Sequence, residues 1–149
     1  MALILTKAKP APFSRHLASI VYDSMLMMAV WVVVGFIFVA INRGEAIAPQ
    51  STLHYGFQSA LLLAWAGFLG YFWSAQGQTL GMRAWRLVVS DGEGRALSKA
   101  LAIKRFAWLI LTCLPLGFGF FWRLLDSRKL TLYDRLSHTR LWLVEKNPY

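Results

Sequence analysis

The sequence contains little charge and almost no cysteine for its length. Charged residues make up 15% of the 149 residues, whereas soluble domains average about 25%. Cys113 is the only cysteine, which excludes an intrachain disulfide and a thiolate metal cluster. The three histidines lie far apart in the chain, and no HExxH, GxSxG or Walker-type motif is present. We therefore expect no metal, no cofactor and no enzymatic activity.

Acidic residues are scarce, since 7 Asp and Glu stand against 16 Lys and Arg, for a net charge of +9. In a soluble chain this excess would suggest a nucleic-acid partner. Here the basic residues flank long apolar runs, as they do on the cytoplasmic side of membrane proteins. Aromatic residues do not alternate with them as a single-strand binder requires. We predict the lipid bilayer and its anionic headgroups as partners, and no nucleic acid.

Apolar sequence is abundant: 57% of the residues are hydrophobic and the mean hydropathy is +0.47. Residues 17–41 form a run long enough to span a bilayer as a helix, and residues 53–75 form a second. The first run is too long for the apolar region of a signal peptide, and no small-residue cleavage site follows it. The sequence predicts two firm transmembrane helices.

A third apolar segment, residues 106–122, is at the short limit for a span and is interrupted by Pro115, Gly117 and Gly119. The tail behind it is basic, so a complete span would place positive charge outside, against the charge rule. A re-entrant hairpin that turns at "LPLGFG" would return the tail to the cytoplasm. Both arrangements remain open, and we favour the re-entrant one.

The polar residues 76–105 carry six basic and two acidic side chains, which predicts a cytoplasmic position. Within them, "RLVVSDGEGRAL" predicts a strand, an Asp-Gly turn and the approach to a helix capped by Ser98. Residues 139–145, "TRLWLVE", alternate like a half-buried strand and are expected to pair with residues 82–89. The predicted fold is an all-α membrane protein with a small cytoplasmic β element, a flexible tail at 1–13 and one domain at 14–149.

Asp23 lies roughly two turns inside the first apolar run, where an Asp typically costs about 2.5–3.5 kcal/mol. Arg15 precedes it, and Ser19 lies four residues from each, so the three form a slanted polar stripe on one helix. One interpretation is a structural ion pair or hydrogen-bond network that fixes helix packing. The other is a carboxylate that binds a proton or cation on a transport path.

The loop "GQTLGMR" resembles a nest, in which glycine lets backbone N–H groups converge on an anion. With Arg83 and Arg86 close by, Gly77, Thr79 and Gly81 indicate a site for an anionic lipid headgroup or substrate. The alternative is a tight turn that leads from the second helix into the β element.

Two further candidates remain. His54 and Gln58 have i, i+4 spacing and share a helix face, which indicates either a helix–helix hydrogen bond or a second polar site. Asp134 is expected either to cap a short helix or to pair with a basic residue of segment 76–105.

Three stretches together resemble the RDD family of small bacterial membrane proteins, which is named for one arginine and two aspartates. These stretches are "SRHLASIVYDSML", "GQTLGMR" and "YDRLSHTRLWLV". By this resemblance Arg15 is the arginine of the family, and Asp23 and Asp134 are its two aspartates. It implies a multi-pass protein of the bacterial cytoplasmic (inner) membrane. The basic segment 76–105 and the favoured re-entrant segment predict that both termini lie in the cytoplasm.

The activity that the resemblance implies is transport of a small ion or solute, with proton coupling through Asp23. The alternative is an accessory or assembly protein in which Arg15, Ser19, Asp23 and Asp134 form a structural network. Two spans are few for enclosing a path, so we expect a homo-oligomer or a membrane partner protein.

Overall fold

A computed structural model describes residues 8–145. The described chain is mostly helical, with a small antiparallel sheet. The elements, in chain order, are β1 (Lys9–Pro10), α1 (Phe13–Ile41), α2 (Thr52–Ala75), α3 (Leu80–Ala84), β2 (Leu87–Asp91), α4 (Lys99–Cys113), α5 (Phe118–Phe121), a 3₁₀ turn (Trp122–Leu124), α6 (Leu132–Ser137) and β3 (Thr139–Leu143).

The two long helices form an antiparallel pair whose ends follow local sequence signals. α1 stops where Asn42 caps it and Gly44 adopts a φ of +86°. α2 starts at Ser51, whose hydroxyl accepts a hydrogen bond from the His54 N–H at 3.1 Å. Ring contacts of Trp31 with Trp65 and of Phe38 with Phe57 join the helices, and the Trp31 indole donates to the Leu61 carbonyl at 3.2 Å. α1 begins four residues before the predicted helix at 17–41 and ends at the predicted residue. α2 agrees with the predicted helix at 53–75 to within one residue.

The membrane-spanning capacity of the helices is unequal. Among residues 8–145, α1 is the one helix that is both long and apolar enough to cross a bilayer by itself, and nearly all of it is exposed. α2 has the length but falls short in apolarity, since it carries His54, Gln58 and several aromatic residues. The structure therefore contains one clearly membrane-capable helix, α1, and the prediction of two firm spans stays a prediction.

The third apolar segment is bent at the predicted place. α4 and the α5–3₁₀ segment meet at an angle of 103°, and the chain between them contains Pro115 and Gly117. Gly117 has a φ of +73°, a left-handed conformation that suits glycine. Gly119 lies so close to Thr112 that a Cβ would come within 2.6 Å of the threonine Cβ. The geometry is that of a broken span or a re-entrant loop, and the choice between them stays a prediction.

The sheet has the strand order β1-β3-β2, and both pairings are antiparallel. Leu87 lies opposite Leu143, and Asp91 lies opposite Thr139. The predicted pairing of 82–89 with 139–145 is therefore present, but the first strand occupies 87–91. Residues 80–84 form α3 instead, because Thr79 caps a helix there by accepting from the Met82 N–H at 3.1 Å.

The predicted flexible tail at 1–13 is ordered in its second half. Lys9 and Pro10 pair with β3, and Ala11 is buried in the core with 2% exposure. Residues 1–7 lie outside the described residues. A strand of two residues leaves no periodicity in the sequence, so nothing there predicted this pairing.

The core lies between the sheet and the neighbouring ends of α2 and α4. Leu87 and Val89 are fully buried on one face of β2 and pack with Leu97, Ala102 and Trp73. This packing brings the polar segments α3 and α6 against the helices. α3 contacts α1, and α6 contacts α4.

Candidate functional site

Asp23 contacts the "GQTLG" loop. Its Oδ2 accepts a hydrogen bond from the Thr79 hydroxyl, and its Oδ1 accepts from the Gly81 N–H at 2.8 Å. The same Thr79 oxygen accepts from the Met82 N–H and so begins α3. The acid in the apolar helix α1 and the loop after α2 therefore form one contact. The cost of placing a carboxylate in this apolar helix is reduced by two donors from another part of the chain.

Gly81 makes this contact sterically possible. A Cβ at position 81 would lie 2.9 Å from the Asp23 Cγ and closer still to the carbonyl oxygen of Ser19. Ser19 itself is buried, and its hydroxyl donates to the His16 carbonyl at 2.8 Å within α1. Gly77 adopts a φ of +66°, and its carbonyl accepts from the Val89 N–H at 2.8 Å. The two glycines of the motif thus join α1, α3 and β2.

The protein itself supplies a carboxylate to the "GQTLG" loop, which also begins α3, and a nest for an external anion stays a prediction. The N–H of Gly81 is bound by Asp23 and the N–H of Met82 by Thr79. An external anion at these N–H groups would have to displace the Asp23 carboxylate. Arg83 and Arg86 are exposed, and Arg86 donates to the Glu145 carbonyl at 3.2 Å. Binding of a lipid headgroup at these two arginines stays a prediction.

Arg15 is not joined to either aspartate. No ion pair links it to Asp23 or Asp134 within residues 8–145. Arg15 and Asp23 are eight residues apart on α1, which separates their backbone positions by about 12 Å along the helix axis. This separation is much longer than a salt bridge. The network expected from Arg15, Ser19, Asp23 and Asp134 is therefore divided, because Asp23 contacts α3 and Asp134 contacts α4.

Asp134 forms a buried ion pair with Arg105. The Arg105 Nη2 lies 2.6 Å from the Asp134 Oδ1, and both side chains are 2% exposed. The hydroxyl of Thr131 donates to Oδ2 at 2.6 Å, and that of Thr139 donates to Oδ1 at 3.2 Å. Thr131 also caps α6. The sequence offered a helix cap or a basic partner from segment 76–105, and the structure contains that basic partner, Arg105.

His16 is held between Arg123 and Tyr133. The Arg123 Nη1 donates to the His16 Nδ1 at 3.1 Å, and the His16 Nε2 lies 3.3 Å from the Tyr133 hydroxyl oxygen. Because a guanidinium only donates, Nδ1 must accept, and the neutral ring carries its proton on Nε2. Arg123 also donates to the Ala11 carbonyl. Burial, together with the adjacent Asp134, raises the pKa of Tyr133, so its phenol stays protonated.

Asp126 closes the turn before α6. Its Oδ2 accepts from the N–H groups of Arg128 at 3.0 Å and Leu130 at 3.1 Å, and its Oδ1 accepts from the Arg135 guanidinium at 2.7 Å. Burial opposes ionisation of this carboxyl, but the hydrogen bonds and the positive charge of Arg135 outweigh it. They hold the pKa of Asp126 below its usual value.

A cavity of about 510 Å³ lies between α1, α2, α4 and α5. Its size falls within the range of about 300–1,000 Å³ that is typical of small-molecule sites. Several residues of its wall are polar or ionisable, including His16, Asp23, Thr79, Arg105 and Tyr133. Most of the remaining wall is apolar, including Met27, Trp65, Phe68, Leu69, Leu109 and Phe120. A mainly apolar cavity with a few convergent polar groups is the usual form of a solute-binding site.

The model of the RDD family matches residues 9–138 of the chain. The chain belongs to the RDD family. A comparison with curated proteins and one with solved structures found no match. The matched range contains both the Asp23 contact with α3 and the Arg105–Asp134 pair. Family membership and the long apolar α1 together indicate a membrane protein.

Sequence reasoning missed four residues of the site in this RDD protein, namely His16, Arg105, Arg123 and Tyr133. A signal for Arg105 was present, because Ala102, Arg105, Leu109 and Thr112 have the spacing of one helix face. On this face of α4, Ala102, Arg105 and Thr112 are buried. No comparable signal existed for Arg123, whose histidine partner is 107 positions away.

The second predicted polar site is separate from this cavity of the RDD protein. Gln58 Nε2 and His54 Nε2 lie 3.1 Å apart on α2, as the i, i+4 spacing predicts. Neither side chain belongs to the wall of the cavity. No group of three or more metal-ligating side chains is assembled anywhere in residues 8–145.

Proposed function

We propose that this RDD protein binds a small solute in the cavity between α1, α2 and α4 and carries it across the cytoplasmic membrane. The observation that carries the proposal is the placement of Asp23 and Arg105 on the wall of one otherwise apolar cavity. Ionisable side chains within a membrane segment are costly, and those that face an interior cavity usually belong to a solute or ion pathway.

The sheet supports a topology suited to this role. β1 precedes α1, β2 follows α2, and β3 follows the bend between α4 and α5. Because the three strands share backbone hydrogen bonds, a bilayer cannot separate them. If α1 crosses the membrane, α2 returns, and the bent segment re-enters from the same side. The basic residues of segment 76–105 favour the cytoplasm for that side, and hence for both termini.

Asp23 is our candidate for proton coupling. Its partners are a hydroxyl and a backbone N–H, and neither is charged. The other titratable groups on the cavity wall are His16, Arg105, Tyr133 and Cys113. Protonation of the carboxylate would replace an acceptor by a donor and weaken the contact between α1 and α3. The protonation state of Asp23 would thereby be linked to the shape of the cavity.

Flux measurements with Asp23→Asn test the proposal. Proteoliposomes that contain a pH-sensitive dye would receive a pulse of each solute in a panel of small organic acids, amines and alkali cations. We expect wild type to move protons with at least one class, and Asp23→Asn to lose this movement while keeping its melting temperature. Asp91→Asn is the matched control, because Asp91 is the last residue of β2, binds the turn that follows it, and is absent from the cavity wall. Normal coupled flux in folded Asp23→Asn would contradict the carrier role.

A second candidate function is an accessory or assembly protein without flux of its own. It is favoured because both aspartates already bind groups of this chain. Asp23 accepts hydrogen bonds from Thr79 and Gly81, and Asp134 forms an ion pair with Arg105. This role predicts no solute movement in wild-type proteoliposomes, a membrane protein partner that co-purifies, and a large loss of stability in Asp23→Asn.

A further inference from the structure

Three buried N–H groups, on two side chains that line the cavity, have no acceptor within the described part of the chain. They are the Nε and Nη1 groups of Arg105 and the indole Nε1 of Trp73. Arg105 and Trp73 are 2% and 4% exposed, and both side chains line the cavity. The guanidinium carbon of Arg105 lies 4.6 Å from the centre of the Trp73 ring. Buried donors left unpaired are costly, so this wall is suited to a ligand that accepts hydrogen bonds.

The charges around these donors favour an anion. Arg105 and Arg123 are both buried, and both lie close enough to His16 to act on its ring electrostatically. Among residues 8–145, Asp134 is the one carboxylate that forms an ion pair with either arginine. The hydrogen-bond partners of Asp23 are neutral groups of Thr79 and Gly81, so its carboxylate balances one positive charge for as long as it is ionised. Protonation of Asp23, which the proposed coupling requires, would leave one positive charge without a partner, and that state favours a singly charged anion over a dianion or a cation.

The rest of the cavity defines the body of the ligand. Met27, Leu69 and Leu109 form apolar wall, and five exposed residues on the wall are apolar as well: Leu17, Ile20, Met28, Trp31 and Phe121. We infer that the cavity binds an organic monoanion, with a carboxylate or similar oxyanion head at Arg105 and Trp73 and an apolar body toward α1. This inference rests on the proposed solute site and adds its chemical class.

A ligand of this chemistry has two sources. A small carboxylate can arrive from water, and a fatty acid can arrive from the bilayer through the apolar face of α1. Benzoate represents the first source, and palmitate incorporated in the bilayer represents the second. Saturable binding of either probe supports the site, and the probe that binds identifies the source.

Binding is measured by calorimetry with the full chain in nanodiscs of zwitterionic lipid. Benzoate is compared with benzyl alcohol and benzylamine, which have the same ring but a neutral or a cationic head. A hydrogen bond to a charged group corresponds to roughly ten- to one-hundredfold in affinity, so benzoate should exceed both by at least about tenfold. Palmitate is compared with hexadecanol in the same way.

Matched variants locate the head group. Trp73→Phe keeps the aromatic ring beside Arg105 and removes the indole N–H, and we expect carboxylate binding to weaken by roughly tenfold. Trp122→Phe is its control, because the Trp122 indole N–H is also buried without an acceptor but Trp122 does not line the cavity. Arg105→Lys keeps a cation opposite Asp134 and loses the guanidinium donors. If that variant does not fold, the Trp73→Phe comparison decides.

Three results would overturn the anion site. The first is equal affinity for the carboxylate and its neutral analogue, and the second is equal carboxylate affinity in Trp73→Phe and Trp122→Phe. The third is no saturable binding of either carboxylate, which would mean that water alone satisfies the donors. The result for carriage is separate. Carboxylate binding without flux would leave the site standing and refute transport, whereas flux of another solute without carboxylate binding would refute the site alone.

Discussion

Gly81→Ala should break the contact between α1 and α3. The new Cβ would lie 2.9 Å from the Asp23 Cγ and closer to the Ser19 carbonyl oxygen. The Ser19 oxygen belongs to the backbone of a regular helix and cannot rotate away. α3 must therefore shift, and the hydrogen bond from the Gly81 N–H to Asp23, now 2.8 Å, must lengthen or break.

The expected loss of stability follows from two costs and one gain. Overpacking typically costs about 1–3 kcal/mol, and a hydrogen bond to a charged acceptor contributes about 1.5–3 kcal/mol. Alanine has a higher helix propensity than glycine by about 1 kcal/mol, which offsets part of this loss. The free energy of unfolding should therefore fall by about 1.5–5 kcal/mol.

Equilibrium unfolding in mixed micelles with increasing dodecyl sulfate, followed by tryptophan fluorescence, measures the change. Gly67→Ala is the matched control, because Gly67 lies in α2 and a Cβ there meets no atom within 4 Å. That variant should be as stable as wild type or slightly more stable. Equal stability of Gly81→Ala and Gly67→Ala would refute the close approach of α3 to α1.

Three further predictions concern the ion pairs and the topology. Asp134→Asn should lower the free energy of unfolding by about 3–5 kcal/mol in the same assay, because it leaves Arg105 buried and unpaired. Adding Arg105→Gln to that variant should recover much of the lost stability. Failure of the double variant to recover would count against the pair. The folded pKa of Asp126 is depressed, so its carboxylate stabilises the fold above about pH 4, and this stability is lost as pH falls through the folded pKa. Asp126→Asn should flatten the fall of the melting temperature with acid, and an unchanged slope would contradict this. Reporter fusions at the C-terminus, and thiol labelling at introduced cysteines in a Cys113→Ser background, should place both termini in the cytoplasm; a C-terminus labelled from outside would restore a third span.

The parts of the fold that were predictable from sequence have local causes. The end of α1 at Asn42, the cap of α4 at Ser98 and the bend near Gly117 each follow from residues at that point of the chain. The pairing of β2 with β3 was predictable because both segments have the residues of half-buried strands. Its exact register was not, since the helix start at Thr79 occupies residues that also resemble a strand.

The partners of the charged residues were less predictable. Arg15 and Asp23 both lie in α1, and the sequence offers Arg15 as the cationic partner of Asp23. No ion pair joins these two residues. Arg105 binds Asp134, which is 29 positions later, because α6 packs on α4. Such a choice depends on tertiary packing, and a single sequence carries no record of it. Likewise, "GQTLG" indicated either an anion-binding nest or a tight turn, and the sequence did not reveal that this loop donates to Asp23 through Thr79 and Gly81.

The two aspartates of the family motif are bound in ways that suit different roles. Asp134 is held by a guanidinium in a site with 2% exposure, so neutralising it leaves a buried cation, and we expect this acid to be structural. Asp23 is held by a hydroxyl and a backbone N–H, which bind a carboxylate but leave no unpaired charge when it becomes neutral. Asparagine at position 134 should therefore cost several times more stability than asparagine at position 23. If the two changes cost the same, Asp23 is as structural as Asp134, and the accessory role is favoured over carriage.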